Sequence, residues 1–307
     1  WGVLEYLFDR QWRTLRATCQ ERGVLLLGDL PIYVGEDSVA AWSQPELFQV
    51  RADGRPSVVA GVPPDPYAAE GQRWGNPIFD WEHQTERCFE WWAQRLRRAF
   101  TQTDLVRIDH FLGLARYWAI PADSQDGRVG EWRPGPGAAL FDYLAEHLDE
   151  LPLVVEDLGP IDESCRALQQ RLGAPSMKVL QFAFGSGPDN EHLPQNLPDN
   201  CIAYPSTHDS DTLVGWWTSL EPTAREEVRA LLPPRATPIP ALMQTLLDSR
   251  AAWVMVPAQD WIGLGSSARF NIPGTTENNW RWRLVAHQLH PGVTHSVRQA
   301  VARGGRL

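Results

Sequence analysis

Short apolar runs, each followed closely by an acidic or polar residue, are the feature that most limits how this chain can fold. Runs of this length, rich in Val, Ile and Leu, are typical of strands that are buried on both faces of a parallel sheet. Amphipathic helical patterns lie between them. Strand alternating with helix predicts a parallel α/β fold. The runs are 24–27, 105–108, 153–155, 177–180, 201–204 and 252–256.

A doubly wound sheet and a barrel both fit that alternation. A dinucleotide-binding sheet requires a Gly-rich turn after its first strand, which this sequence lacks. Polar groups at nearly every strand end favour a (β/α)8 TIM barrel, because barrel enzymes gather catalytic groups there. Six candidate strands fall short of eight, and the chain begins at Trp1 rather than at Met. We therefore expect residues 1–307 to form an incomplete catalytic barrel, with the first two strands preceding Trp1.

Residues 30–81 are too long for an ordinary connection of ~2–6 residues between a strand and a helix. The stretch is rich in proline and glycine, and its Trp, Tyr and Phe content argues against disorder. We expect it to form an inserted subdomain, or lid, over the active-site face of the barrel.

Composition excludes several classes of function. The net charge of −10 argues against nucleic acid or an anionic membrane as a partner, and no apolar run reaches the ~18 residues of a membrane span. The cysteines are far apart without CxxC spacing, which indicates reduced thiols in a cytoplasmic protein. Tryptophan is abundant at 15 residues, and its flat face suits sugar rings as well as cores. The cysteines are Cys19, Cys88, Cys165 and Cys201.

Three carboxylates, Asp109, Glu156 and Asp209, lie where candidate strands end or shortly after them. In a barrel such ends converge, so groups remote in sequence can meet in one pocket. Paired carboxylates flanking a bond are what glycoside cleavage requires: one attacks the anomeric carbon and the other protonates the leaving oxygen. Arg107 shares a strand face with Asp109, and its charge would keep that carboxylate ionised.

Other interpretations of these residues remain open. An acidic residue at a strand end can instead cap the following helix. His110 and His208 could donate to sugar hydroxyls or steady the carboxylates, or the two His-Asp neighbours could ligate a divalent metal. A tight ligand pair such as HxH is absent from the sequence, so no metal site is predicted.

Eight motifs then occur in order and together resemble a known family. They look like the 4-α-glucanotransferases of glycoside hydrolase family 77, the amylomaltases and plant disproportionating enzymes. The motifs are GDLPIYV (28–34), VAGVPPD (59–65), GQRWGNP (71–77), VRIDHF (106–111), EDLG (156–159), MKVLQFAF (177–184), THDSDT (207–212) and RFNIPG (269–274).

The resemblance implies a retaining transferase acting on α-1,4-glucans. Asp109 would be the nucleophile that forms a covalent glucosyl-enzyme. Glu156 would protonate the departing O4 and later activate an acceptor hydroxyl. Asp209 would grip the 2- and 3-hydroxyls of the distorted sugar. No cofactor is expected, because the glycosyl-enzyme carries the energy of the broken bond into the new one.

The resemblance also implies substrate-binding residues. Arg107, His110 and His208 match positions that contact the nucleophile and the sugar at the cleavage point, and Asn271 matches a position near the substrate. Residues 62–72 correspond to a flexible lid over the acceptor sites. The resemblance also implies malto-oligosaccharides as partners, and three further substrate-binding residues in the motifs VAGVPPD and GQRWGNP. The three residues are Asp65, Trp74 and Asn76.

Some positions depart from the family pattern. An aromatic pair is common where Pro66 and Tyr67 stand, Arg where Leu112 stands, and Asn where Ser210 stands. Family members also have a long segment before the point matching Trp1, so we expect the chain alone to be poorly folded or inactive.

Two other functions stay open: a hydrolase of the amylase type, and a catalytically silent glucan-binding remnant. Chain-length preference, cyclisation and oligomeric state are not fixed by the sequence.

Overall fold

The computed structural model of the chain describes residues 1–65, 68–275 and 277–307. The chain divides into two compact units, Trp1–Pro175 and Ser176–Leu307. Both combine helices with strands, so the fold is of the mixed α/β class that the sequence predicts.

The first unit contains one parallel and one antiparallel sheet. Its strands are β1 (Leu27–Pro31), β2 (Val58–Val62), β3 (Gln72–Pro77), β4 (Leu105–Asp109), β5 (Arg116–Pro121), β6 (Glu131–Pro134) and β7 (Leu153–Val155). Its helices are α1 (Gly2–Glu21), α2 (Val39–Ser43), α3 (Thr85–Gln102), α4 (Leu112–Ala115), α5 (Gly137–His147) and α6 (Glu163–Leu172), with a 3-10 turn at Pro45–Leu47.

The parallel sheet has the order β1-β4-β7. Strands β4 and β7 lie where the apolar runs predict them, but β1 begins three residues later than the run 24–27 predicts. The first three residues of this run lie outside the strand. Val24 is 49% and Leu25 64% exposed, and the N–H of Leu26 donates to Oδ2 of Asp104 at 2.8 Å. An apolar run therefore located this strand without fixing its bounds.

One face of α3 seals the parallel sheet. The buried positions of α3 recur at helical spacing, as an amphipathic helix against a core requires. Trp92 is 0% exposed, so this tryptophan serves the core and offers no surface to a sugar. The buried positions of α3 are Cys88, Phe89, Trp92, Ala93 and Leu96.

The antiparallel sheet has the order β3-β2-β5-β6. Strands β2 and β3 come from the stretch 30–81, whereas β5 and β6 follow β4 in the sequence. Gly61 on β2 is required for the close pairing with β3, because a Cβ there would lie 2.1 Å from the carbonyl oxygen of Gln72. Residues 30–81 thus supply half of this sheet, and their separate subdomain character stays a prediction.

The second unit is built on the parallel sheet β10-β9-β8. Its strands are β8 (Ser176–Val179), β9 (Cys201–Tyr204) and β10 (Trp253–Val254). Its helices are α7 (Leu213–Ser219), α8 (Pro222–Ala230), α9 (Pro238–Leu247), α10 (Ala258–Ile262) and α11 (Pro291–Arg303), with 3-10 turns at Leu180–Phe182, Pro194–Asn196, Ser266–Ala268 and Ala286–Gln288. Its core is formed by residues of β9, of the helices α7 to α9 and of the 3-10 turn that follows β8.

All four cysteines are free thiols, and Cys88, Cys165 and Cys201 are buried. In the described part of the chain, no helix is long and apolar enough to cross a membrane.

Candidate active site

An ion-paired chain of three side chains forms at the ends of β1 and β4. The parallel register places Asp29 beside Arg107. Nη1 of Arg107 donates to both carboxylate oxygens of Asp29 at 2.6 Å, and Nη2 donates to Oδ1 of Asp109 at 2.7 Å. One guanidinium therefore orients Asp109 from a fixed anchor on the neighbouring strand.

The side chain of Arg107 is only 8% exposed, whereas those of Asp29 and Asp109 are 45% and 38% exposed. Burial by itself lowers the pKa of Arg107, but the charges of Asp29 and Asp109 outweigh it and raise the pKa overall. The guanidinium stays positive, and its charge favours the ionised form of Asp109.

Glu156 follows β7 directly and is tied to the end of β4. Its backbone N–H donates to the carbonyl of Ile108 at 3.0 Å. Its carboxylate accepts two main-chain hydrogen bonds, from His110 N–H at 2.7 Å and from Leu158 N–H at 3.2 Å. Burial and then the charge of Asp109 raise the pKa of Glu156 to about 8. A carboxyl that keeps its proton near neutral pH can act as a general acid.

His110 adopts a left-handed backbone conformation with φ of 53°. Positive φ is uncommon outside glycine, and such strain often marks functional sites. The N–H of this left-handed residue is the one that donates to Glu156. Burial lowers the pKa of the imidazole to about 4, so the ring is neutral, and its Nε2 has no hydrogen-bond partner within the described residues.

Trp74 lies against this imidazole, with ring centroids 4.7 Å apart and planes at 89°. The indole N–H donates to the side chain of Gln72 at 3.1 Å. Asn76, on the same strand β3, donates to the carbonyl of Val34 at 2.8 Å. Strand β3 therefore places Trp74 beside the ring of His110.

Asp65 is exposed, and its Oδ1 accepts a hydrogen bond from Ala68 N–H at 2.7 Å. The departure from the family pattern at Pro66 and Tyr67 lies outside the described residues.

In the second unit, Asp209 contacts Asn271, His208 and Arg269. Asn271 Nδ2 donates to Oδ1 of Asp209 at 2.6 Å, and Nε2 of His208 lies 3.1 Å from Oδ2. Arg269 donates to the backbone carbonyl of Asp209 at 2.7 Å. The loop after β9 and the segment after α10 thus fix the direction of this carboxylate together.

Trp280 lies next to the group of side chains around Asp209. Its ring lies 5.4 Å from that of His208 and is 55% exposed, while its backbone has a φ of 61°. The backbone N–H donates to the carbonyl of Phe270 at 2.7 Å, which holds this strained position. An exposed indole beside Asp209 offers a flat surface of the kind that sugars contact.

The sequence did not predict a place in the site for Asp29, Arg269 or Trp280. Asp29 lies in the GDLPIYV motif, but its partner becomes evident only once the register of β1 against β4 is known. Arg269 begins the RFNIPG motif. In residues 1–65, 68–275 and 277–307, no group of three His, Cys, Asp or Glu side chains is arranged to hold a metal ion.

The family profile described as 4-alpha-glucanotransferase, glycoside hydrolase family 77, matches residues 1–288. The chain belongs to this family.

Among its relatives, the chloroplastic/amyloplastic 4-alpha-glucanotransferase of Oryza sativa subsp. japonica is 44% identical over 91% of this chain and 48% of its own length. The 4-alpha-glucanotransferase of Thermus thermophilus is 42% identical over 94% of this chain and 59% of its own length. The chain therefore spans about half to three-fifths of these curated relatives.

The fold agrees with solved amylomaltases. The amylomaltase of Streptococcus agalactiae in complex with acarbose matches 99% of this chain and 62% of its own, with a TM-score of 0.95 and 34% identity. The amylomaltase of Corynebacterium glutamicum matches 97% of this chain with a TM-score of 0.80 at 20% identity, which supports the fold alone.

Proposed function

We propose that the protein containing this chain is a retaining 4-α-glucanotransferase. It transfers a segment of a 1,4-α-D-glucan to the 4-hydroxyl of another glucan or of glucose. The observation that carries the proposal is the pairing in one cluster of Asp109, held by Arg107, with Glu156, whose pKa is raised to about 8. Two carboxyl groups that favour opposite protonation states suit the nucleophile and the general acid of a retaining reaction.

In the first half of the reaction, an oxygen of Asp109 attacks the anomeric carbon of the donor. The bond between that carbon and the bridging O4 breaks, and the proton of Glu156 passes to O4. The shortened glucan leaves with a new 4-hydroxyl, and the donor segment stays as an ester of Asp109.

In the second half, Glu156 is ionised and takes the proton from the 4-hydroxyl of an acceptor glucan. The acceptor oxygen attacks the anomeric carbon and releases Asp109. One glycosidic bond breaks and one forms, so the protein needs no cofactor to supply energy. Two inversions at the same carbon retain the α configuration.

Asp209 is assigned the third role, contact with the 2- and 3-hydroxyls of the distorted sugar. The assignment rests on the family resemblance, and it is supported by the hydrogen bond from Asn271 that restrains the carboxylate. Asn271 then acts on the sugar through Asp209, and His208 steadies the same carboxylate or donates to a hydroxyl.

Malto-oligosaccharides and longer α-1,4-glucans are the proposed substrates. Trp74, Asn76 and Asp65 are assigned to substrate binding on the resemblance, with Trp74 supported by its place beside His110. The acarbose complex of the Streptococcus agalactiae amylomaltase supports glucan-like ligands for the family.

We further infer that the six parallel strands β1, β4, β7, β8, β9 and β10 are parts of a (β/α)8 barrel that is incomplete within this chain, with residues 30–81 as an inserted subdomain or lid. The share of each relative that the chain spans supports this view. A cytoplasmic location is proposed on the bacterial relatives, whereas plant relatives carry plastid names.

Incubation of the full-length protein with maltotriose tests the proposed activity. Transfer yields glucose together with chains longer than maltotriose, whereas a hydrolase yields only shorter sugars and a silent binding protein yields no products. The Asp109→Ala variant is the control for contaminating activity and should form no products. Longer chains absent from the wild-type reaction would reject the proposal.

A further inference from the structure

A buried carboxylate in the second unit is not used by the mechanism above. Asp260, on α10, is 1% exposed. A buried charge is costly unless it is well hydrogen-bonded. Burial raises the pKa of Asp260, and hydrogen bonds from Ser206 and Leu213 oppose that rise. The Gln259-Asp260 pair follows the last apolar run of the sequence, and it is not among the residues that the sequence predicts for the active site.

The two oxygens of Asp260 bind the two ends of one loop. The hydroxyl of Ser206, which is itself 1% exposed, donates to Oδ2, and the backbone N–H of Leu213 donates to Oδ1 at 2.7 Å. Ser206 follows β9, and Leu213 is the first residue of α7. The segment between them, here called the 206–213 loop, carries His208 and Asp209.

The inside of the 206–213 loop is held by its own polar groups. Thr207 N–H donates to Oγ of Ser210 at 2.9 Å, and Asp209 N–H donates to Oγ1 of Thr207 at 3.2 Å. The loop is therefore a compact turn, and the direction of Asp209 depends on how the two ends of the turn are fixed.

Further contacts join the loop to the segment that begins with α10. Oγ of Ser266 donates to Oδ2 of Asp211 at 2.6 Å, and Arg269 donates to the backbone carbonyl of Asp209. Gly215 leaves room for this contact, since a Cβ there would lie 2.4 Å from Oγ of Ser266. Asp260 is deeply buried, whereas Asp211, Ser266 and Arg269 lie nearer the surface.

We propose that Asp260 is a positioning residue, which clamps both ends of the 206–213 loop and thereby fixes Asp209 for reaction. The inference rests on the proposed transferase function. A displacement of about 1 Å in a catalytic group can cost ~100-fold in rate, so loss of the clamp acts on turnover more than on binding.

The test compares Asp260→Ala, Asp260→Asn and the control Val228→Ala in the full-length protein. Asn keeps an oxygen that can accept from Leu213 N–H and an amide that can donate to Ser206. Val228 is 0% exposed in the same core but lies on α8, outside the loop, so its truncation perturbs stability without touching the clamp.

We expect Asp260→Ala to lower kcat for maltotriose transfer by about 100-fold with little change in KM. Asp260→Asn should recover most of that loss, and Val228→Ala should keep nearly the wild-type kcat. Amide hydrogen exchange should also become faster across 206–213 in Asp260→Ala and stay unchanged there in Val228→Ala.

Equal kcat values for Asp260→Ala and Val228→Ala, with wild-type exchange in the loop, would overturn the inference. Asp209→Asn, assayed in parallel, separates this failure from failure of the proposed function. If Asp209→Asn leaves transfer intact, the role of Asp209 is wrong. The exchange measurement still decides whether Asp260 clamps the loop, since it does not depend on activity.

Discussion

The backbone N–H of His110 donates to Oε2 of Glu156 across 2.7 Å. His110 directly follows Asp109, so the strand that carries the proposed nucleophile also orients the proposed acid. His110 makes this bond at a position where the backbone takes a φ of 53°, so the donor belongs to a left-handed residue between β4 and the turn that follows it. The geometry of the two carboxyl groups is therefore linked through one strained residue.

The activity of the full-length protein should have a basic limb set by Glu156. Only the protonated form can donate to the leaving oxygen, so kcat/KM should fall as pH rises through about 8. The pH profile of maltotriose transfer measures this limb. Glu150→Gln, which changes an exposed carboxylate of the same unit, should leave it in place. A profile that stays flat to pH 10 would contradict the assignment.

Two substitutions at His110 should distinguish the role of its backbone N–H from the role of its imidazole ring. His110→Gly removes the ring but accepts the positive φ, whereas His110→Val adds a cost of roughly 1–2 kcal/mol in a left-handed conformation. We expect His110→Val to be the less stable variant in denaturant unfolding. Its basic limb should also move to higher pH, because a backbone that relaxes out of the left-handed region shifts the amide and weakens its hydrogen bond to the ionised form of Glu156. Identical limbs in the two variants would show that the amide does not tune Glu156.

The Asp29→Asn substitution should impair turnover although Asp29 does not take part in the proposed chemistry. It weakens the anchor of Arg107, and a hydrogen bond to a charged group contributes about 1.5–3 kcal/mol. We expect kcat/KM to fall by at least ~10-fold, as a steady-state assay would measure. Asp37→Asn, at an exposed carboxylate after the same strand, is the matched control and should behave as wild type.

The stability of the protein should depend on pH through Glu156. The pKa of this group is about 8 in the folded chain and lies above its ordinary value of 4.5. Its contribution is thus fully present below about 4.5 and is lost as pH rises through about 8. Relative to wild type, Glu156→Gln should gain unfolding free energy between pH 5 and pH 9. Parallel stability curves for the two proteins would argue against a buried, proton-holding Glu156.

The sequence was informative where burial dictates residue type. Continuous apolar runs located β4, β7 and β9 because strands buried on both faces tolerate few polar residues. Strands β5 and β6 were not predicted. Strand β6 carries no continuous apolar run, and β5, which has one at 117–120, pairs in a partly exposed antiparallel sheet. The start of β1 was misplaced because Val24 and Leu25 are apolar yet exposed.

Contacts within the site could be predicted from the sequence where both interacting residues lie on one strand. Arg107 and Asp109 are two residues apart, so the pleat alone puts them on one face. The partnership of Arg107 with Asp29 depends on strand register, which residue types do not encode locally. The donor to Glu156 is the backbone N–H of His110, and residue types do not predict the direction of a backbone N–H.

Trapping of the glycosyl-enzyme tests the central claim most directly. Full-length Glu156→Gln protein would be incubated with α-maltosyl fluoride, whose leaving group needs little help from an acid, and then digested for peptide mass spectrometry. The account predicts a maltosyl adduct on Asp109, absent when Asp109→Ala is combined with Glu156→Gln. An adduct on Asp29 or Asp209, or consumption of the fluoride by the double variant at the rate of Glu156→Gln, would contradict it.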